Sequence, residues 1–447
     1  MKTGIEKLHR VQTLVARGFS RFGVNKNREF TRLIYEISKR ESISPEEVIN
    51  EIETKEAPYA HLKAKLLKKR FPDSYSQSVD FRPYLPELEL SKNDVAKIDK
   101  EFYPKNIYFE EGTESSHAYI NFKNKYPSAK FIRIESLKNY MNNRGAFSAR
   151  DYNKRKENIF LVKQKSDYFK KCPCTKGAVS CGYHVFNLGF GCIFDCTYCF
   201  LQKYTNISGI ILPVNLDDYF DGFNRYKKDG MRIGTGEFSD SLMLDEITGC
   251  SLPIIEFFNK NKNIRFEFKT KSKNISNLLK AKHNGNIVVS WSVNPQEIIN
   301  ENEFLTASLK ERLTAASKCA QAGYKIGFHF DPIIYFKGWE KEYSKVVEMI
   351  FQKIKDADIA WISLGTLRFN PCTKTIIEKR FPDNKILDEE LILGFDNKLR
   401  YYPQLRAGIY ENMLKKIRGH SKRAPVYLCM EEKSLICLNP GFSSISA

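Results

Sequence analysis

The sequence predicts an α/β protein: a partly open parallel barrel with a mostly helical extension before it. Two observations predict the barrel. From about residue 102 onward, short β-rich runs alternate with helical stretches, the pattern of βαβ units. The strands also carry one polar and one aromatic face. A closed βα barrel fills its interior with branched apolar side chains, so polar inner faces imply an open lumen that holds water or a ligand.

The candidate strands are 184–190, 231–238, 265–271, 287–293, 325–334 and 360–369. Segments 217–228, 242–260, 275–283, 309–322 and 339–355 read as the helices between them. Side chains alternate faces along a strand. In the third strand Arg265, Glu267, Lys269 and Lys271 share one face, and Phe266 and Phe268 the other. In the fourth, Ser290, Ser292 and Asn294 lie opposite Val289, Trp291 and Val293. In the fifth, Gly327, His329 and Asp331 oppose Phe328 and Phe330. Helices are expected on the aromatic faces. His329 and Asp331 then face the lumen, as substrate contacts or as a buried pair.

The first ~95 residues read as helical and separate from the barrel. Ser44-Pro45-Glu46-Glu47 is a helix start, with Ser44 as cap and Pro45 at the first position. The basic run from Leu62 to Arg70 reads as a solvated helix face, with a phosphate-contacting helix as the alternative. Three prolines mark 71–86 as a linker. The expected organisation is a helical extension over 1–95, a leading segment over 102–180, the barrel over 181–370, and a C-terminal segment over 371–447 completing the substrate side.

Cys192, Cys196 and Cys199 put three thiols on the loop after the first strand, spaced C-x3-C-x2-C. Three cysteines on a 4Fe-4S cube leave one iron without a protein ligand, open to a substrate or cofactor. A structural zinc site is the alternative, with Cys181 and His184 joining Cys196 and Cys199. Cys172, Cys174 and Cys181 form a second thiol group, a candidate for another metal, whereas Cys429 has no partner at ligand spacing. Eleven cysteines, concentrated between 172 and 199, give no even-spaced disulfide framework.

The formal charge of +19 favours a polyanionic partner, most simply nucleic acid. No apolar run approaches the length of a membrane span, and residues 1–6 carry no apolar signal region. A cytoplasmic protein without a membrane partner is expected. Tyr401, Tyr402, Arg406, Lys415, Lys416 and Arg418 offer a basic, aromatic composition suited to a flipped base, or a solvated helix face.

The three-cysteine loop resembles the signature of the radical S-adenosylmethionine superfamily. With it come Cys199-Phe200-Leu201-Gln202, Ala281-Lys282-His283-Asn284-Gly285, Ser292-Val293-Asn294, Ala322-Gly323-Tyr324 with Gly327-Phe328, and Gly338-Trp339-Glu340. In that order, over about residues 102–430, the chain is similar to the spore photoproduct lyase family. The resemblance implies a partial (β/α)6 TIM-type barrel and a 4Fe-4S cluster on Cys192, Cys196 and Cys199. It implies S-adenosylmethionine on the open iron, cleaved to a 5′-deoxyadenosyl radical after reduction by a flavodoxin or ferredoxin. The implied task is repair or modification of a base, in DNA rather than RNA.

The same resemblance assigns residues. Gly236 and Glu237, after the second strand, would receive the cofactor's amino group, and Lys271 its carboxylate. Ser292 and Asn294 fall on the cofactor side, and Tyr198 near the adenine. Tyr198, Glu237 and Asp331 are the catalytic candidates. Two features depart from the family. Its hydrogen-donating cysteine on the second-strand loop has no counterpart within 235–240, where Glu237 is the best match. Its relay tyrosine after the last cluster cysteine is Phe200 here. A small-molecule or peptide substrate, or a zinc-stabilised nucleic-acid-binding module without catalysis, are the alternative functions.

Overall fold

The structure, a computed structural model, describes residues 3–52, 57–77, 80–142, 147–437 and 442. Six parallel strands lie side by side in chain order. They are β1 (His184–Phe186), β2 (Arg232–Thr235), β3 (Arg265–Thr270), β4 (Ile287–Ser292), β5 (Lys325–Ile333) and β6 (Ile359–Thr366). A seventh parallel strand, β7 (Val426–Leu428), extends the sheet beside β6. An antiparallel strand, Phe169–Lys171, borders β1 at the other edge. The sheet curls into a half-barrel, as the alternating pattern predicts. Among the connecting helices are α1 (Leu216–Tyr226), α2 (Ser251–Asn259), α3 (Ser276–Lys280), α4 (Leu309–Gln321), α5 (Trp339–Lys353) and α6 (Pro403–His420).

The aromatic faces turn outward against these helices. Phe266, Phe268, Val289, Trp291, Phe328 and Phe330 share one buried cluster with Ile254, Leu313, Val346 and Met413. Each large buried side chain is worth about 1.5–3 kcal/mol, so this layer holds the strand faces in register.

The lumen differs from expectation at its closed end. There many of the polar groups bond one another, although Arg232 Nε and Nη1 and the Tyr183 hydroxyl are buried without a hydrogen-bond partner. Glu267 Oε1 accepts from Ser290 Oγ at 2.5 Å, His329 Nε2 at 2.8 Å and Trp361 Nε1 at 3.0 Å. Arg232 lies 3.7 Å from Glu267 Oε2 and donates to the Tyr427 hydroxyl at 2.9 Å. A buried carboxylate is tolerated only when hydrogen-bonded or paired, which is why these groups close together.

β1 ends four residues before the sequence pattern does. Gly189 takes φ +101°, and a Cβ there would stand 2.4 Å from the Ile211 carbonyl oxygen. Only glycine fits that turn. It diverts the chain so that Phe190 pairs with Ile211 in a second sheet. That sheet is parallel, ordered Lys130–Ile134, Asn106–Glu110, Asn158–Val162, Ile210–Pro213. The sequence indicated only a leading segment over this stretch.

The N-terminal helices are not separate from the rest. Glu36, on the helix Val24–Arg40, meets Arg70 at 2.7 Å, Lys374 at 2.7 Å and Arg32 at 3.2 Å, all buried. Arg32 also reaches Glu378 at 2.5 Å. Arg70 therefore leaves the solvated face assigned to the run Leu62–Arg70, and donates to the Leu387 and Glu389 carbonyls. The expected linker carries a short helix, Pro72–Gln77, whose Ser74 hydroxyl donates to Glu390 at 2.5 Å. The Ser44 cap forms as predicted, with Glu47 N 3.2 Å from its hydroxyl.

Removing Glu36 leaves three buried cations undercompensated. Glu36→Ala is expected to cost about 3–5 kcal/mol, read by urea unfolding, with the N-terminal helices becoming the first segment cut in limited proteolysis.

Candidate active site

Parallel strands deliver their C-terminal ends to one rim, where ligand loops gather in βα barrels. β1 leads to the loop carrying Cys192, Cys196 and Cys199. β2 leads to Gly236 and Glu237, and β3 to Lys271. β4 ends at Ser292, two residues before Asn294. β5 carries Asp331, β6 precedes Arg368, and β7 precedes Cys429. The residues singled out from the sequence thus meet at one end of the sheet.

Two buried carboxylates hold the cysteine loop. Asp195 lies between Cys192 and Cys196 and is clamped by Arg380 at 2.8 and 2.9 Å, with Arg155 at 3.2 Å. Arg380 also donates to Gln202 at 2.5 Å. Gln202 in turn donates to the carbonyls of Thr197 at 2.7 Å and Cys199 at 3.0 Å. The second carboxylate is Glu303, whose backbone pairs antiparallel with Cys196. Its side chain accepts from Arg312 at 2.6 Å, Asn294 at 2.9 Å, Lys271 at 3.4 Å and the Tyr198 hydroxyl. Burial opposes the charge on Glu303, but Arg312 and Lys271 outweigh it and hold the carboxyl at about 2.

Cys196 is buried, and Cys192 and Cys199 are half-buried. Burial pushes all three thiols up, and Cys192 and Cys196 also feel the charge of neighbouring thiols. Arg155 pulls Cys192 and Cys199 the other way, and Lys271 does so for Cys196 and Cys199. Three sulfur donors on one anchored loop suit an iron–sulfur cluster with an iron left open. The zinc tetrahedron does not form. His184 begins β1, while Cys196 and Cys199 follow its far end, so the strand separates the two halves of that proposed site.

Lys271, Asn294 and Tyr198 converge through Glu303, and Ser292 stands on the same wall, its carbonyl accepting from Arg312 at 2.9 Å. Gly236 adopts φ +109°, a backbone that leaves the β2 loop bare of side chain where it faces β3. Ser241 closes that loop by accepting from Lys269 N at 2.8 Å. Glu237 stands apart, paired with Lys170 of the edge strand at 2.7 Å.

Asp331 is held by Arg368 through two bonds of 2.8 and 3.0 Å. Burial resists ionisation there, but the guanidinium keeps the carboxyl at about 2. The His329–Asp331 pair does not form. His329 lies deeper, between Glu267 and the Ser363 hydroxyl at 2.5 Å, and burial lowers it to about 4, so it is neutral near pH 7.

The aromatic platform expected near the C-terminus is absent from the surface. Tyr401, Tyr402 and Arg406 are buried, and Arg406 is engaged by Glu432 at 2.5 Å. Lys415 and Lys416 are exposed on α6, in keeping with a solvated face. Exposed aromatics occur instead beside the cysteine loop. Phe200 and Tyr204 pack edge to face at 5.8 Å, Phe238 lies 6.4 Å from Phe200, and Lys170 sits 4.1 Å over the Phe238 ring.

Sequence reasoning missed Asp195, Glu303, Arg312 and Arg380. Asp195 had a signal: a carboxylate between two metal-ligand positions in an otherwise apolar stretch. Glu303 had none, because it lies outside the candidate strands.

A curled parallel half-barrel with three thiols on the loop after its first strand is the architecture of the radical S-adenosylmethionine class. A family model for spore photoproduct lyase matches residues 102–414. The chain belongs to the spore photoproduct lyase family. It is 34% identical over 229 residues to the lyase of Geobacillus sp., covering 50% of this chain and 65% of that one. It is 32% identical over 241 residues to the Bacillus subtilis lyase, covering 52% and 68%. The Clostridium acetobutylicum lyase is 31% identical over 206 residues, covering 45% and 61%. The matches span 61%, 65% and 68% of the Clostridium acetobutylicum, Geobacillus and Bacillus subtilis relatives, less than two thirds of the first two. A solved mutant of spore photoproduct lyase, with bound AdoMet and dinucleoside spore photoproduct, superposes with TM-score 0.64 at 27% identity, covering 73% of this chain and 99% of that one.

Glu303→Ala is expected to destabilise the protein by about 3–5 kcal/mol, because Arg312 is left buried without its partner. The pH dependence has a definite sign. The folded carboxyl at about 2 lies below its ordinary value of 4.5, so its contribution is full above about pH 4.5 and fades as pH falls toward 2. Urea midpoints measured between pH 6 and pH 3 should fall, and fall less steeply in Glu303→Gln.

Proposed function

We propose that this chain is a radical S-adenosylmethionine enzyme that repairs a lesion of the spore photoproduct type in DNA. The observation that carries the reading is the three-thiol loop, fixed at the barrel rim beside Lys271, Ser292 and Asn294. Cys192, Cys196 and Cys199 would hold a 4Fe-4S cluster, and the wall formed by Gly236, Lys271, Ser292, Asn294 and Tyr198 would hold S-adenosylmethionine. When bound, those groups would supply the hydrogen-abstracting radical chemistry.

The chain's own residues then bind, orient and exclude water. Lys271 is the longest and loosest contact of Glu303, so its ammonium is available to a ligand carboxylate while Arg312 and Asn294 keep Glu303 satisfied. Tyr198 keeps its phenolic proton, because burial and the Glu303 charge raise it well above its ordinary value. It is a positioning group rather than an acid. Glu237, tied to Lys170, and Asp331, tied to Arg368, act as fixed charges on the rim.

Phe200, Tyr204 and Phe238, with Lys170 above the last ring, offer stacking faces for an extruded base. The net positive charge adds attraction to phosphates. Because residues 235–240 lack cysteine and position 200 lacks a phenol, hydrogen returns to the product by another route than the family resemblance implies. We place the protein in the cytoplasm, served by a reductant such as flavodoxin or ferredoxin. No helix among the described residues is long and apolar enough to cross a membrane.

The test is anaerobic turnover of the reconstituted protein with reductant, S-adenosylmethionine and DNA carrying the lesion. Lesion loss and lesion-dependent 5′-deoxyadenosine, both abolished in Cys196→Ala, are expected. Cofactor cleavage that lesion DNA does not stimulate would overturn the reading. Phe200→Ala and Tyr204→Ala should each weaken lesion-DNA binding by about 1–3 kcal/mol, measured by fluorescence anisotropy at fixed salt.

A further inference from the structure

A second group of thiols gathers outside the cysteine loop. Cys172 and Cys174 flank Pro173, whose ring fixes φ near the value of a tight three-residue turn. The turn forms, with Cys174 N bonded to the Cys172 carbonyl at 2.7 Å. Both side chains therefore emerge together, and their sulfurs stand 3.9 Å apart. The strap is anchored on both sides, by Cys172 N to the Tyr183 carbonyl at 2.8 Å and by Val179 N to the Glu431 carbonyl at 2.9 Å. Cys181 and Cys429, from two other segments, lie within electrostatic reach of Cys172. Arg368, which donates to Cys429 at 3.5 Å and to Asp331, faces the group from the segment after β6, and Lys398 faces it from the C-terminal segment. Cys172 and Cys174 are both half-buried, hence reachable by a small reagent.

We propose that Cys172 and Cys174 form a redox-active dithiol that exchanges with low-molecular-weight disulfides, with Cys174 as the attacking sulfur. The Cys174 thiolate attacks one sulfur of the small disulfide, forming a mixed disulfide and releasing one thiolate. Cys172 then loses its proton and attacks the Cys174 sulfur. The second small thiolate leaves, and the internal disulfide forms. The two sulfurs give up two electrons, and the small disulfide takes both. The sulfurs need only close from 3.9 Å to about 2.05 Å.

The charge pattern supports the assignment of roles. The 3.9 Å thiol–thiol contact with Cys172 is the main cause. Burial opposes it, and Ser180, Arg368 and Lys398 add to it, bringing Cys174 to about 6. The same contact and burial push Cys172 up. This is the arrangement in which one thiol attacks and the other resolves.

The anaerobically reconstituted protein is treated with iodoacetamide across pH 4.5–9, and separately with glutathione disulfide, with sites read by peptide mass spectrometry. Cys174 should alkylate with a midpoint near pH 6, and at pH 5.5 roughly tenfold faster than free cysteine. Glutathione disulfide should produce a 172–174 peptide lacking two hydrogens, with iron content unchanged. In Cys172→Ala the midpoint should rise, and glutathione should remain attached to Cys174. Cys172→Ser, closer in size, should likewise trap the mixed disulfide should the alanine variant fail to fold. A midpoint near that of free cysteine would overturn the proposal. So would zinc or iron that is retained by the wild type and lost in Cys174→Ser.

Discussion

The buried carboxylate of Glu303 is the constraint on which the rim depends. It joins three parts of the chain that are distant in sequence: the cysteine loop through its backbone pairing with Cys196, the strand ends through Lys271 and Asn294, and α4 through Arg312. A charge with almost no solvent exposure must be fully compensated. That requirement fixes where each partner stands. Asp195 does the same on the outer side, binding the loop to Arg380 and Arg155. The loop is thus gripped from both sides, which is what a cluster left incompletely ligated by protein requires of its three sulfurs.

The two ends of the barrel divide the work. At the closed end Glu267 accepts from Ser290, His329 and Trp361, so much of this part of the lumen is an internally bonded polar core. At the rim two lysines are less tightly engaged. Lys271 is 3.4 Å from its carboxylate, and among the described residues Lys269 has no ion pair. Anionic groups of a ligand would find compensation there. The aromatic patch of Phe200, Tyr204 and Phe238 borders the same rim, beside the chemistry rather than remote from it.

Much of this was legible in the sequence. Period-two alternation marked the six strands and the direction each face turns, because Phe266, Phe328 and Trp291 have no other place to bury. The cysteine spacing marked the loop. What the sequence concealed follows from tertiary context. Gly189 reads as part of a strand but takes a left-handed turn that cuts β1 short. Tyr401 and Arg406 read as a surface platform, but Arg406 is neutralised by Glu432 within the fold. Glu303 is an ordinary glutamate in an unpatterned segment, and only folding brings it to Cys196. Cys429 has no thiol near it in sequence, yet β7 carries it to the rim beside Arg368.

The central claim is that three sulfurs at the rim would hold a cluster, with S-adenosylmethionine bound beside Lys271, Ser292 and Asn294. Electron–nuclear double resonance on the reduced, reconstituted protein tests it most directly, using S-adenosylmethionine labelled in its carboxylate and amino groups. The account predicts hyperfine coupling from both labels to the cluster spin. An intact cluster showing coupling from neither would contradict it.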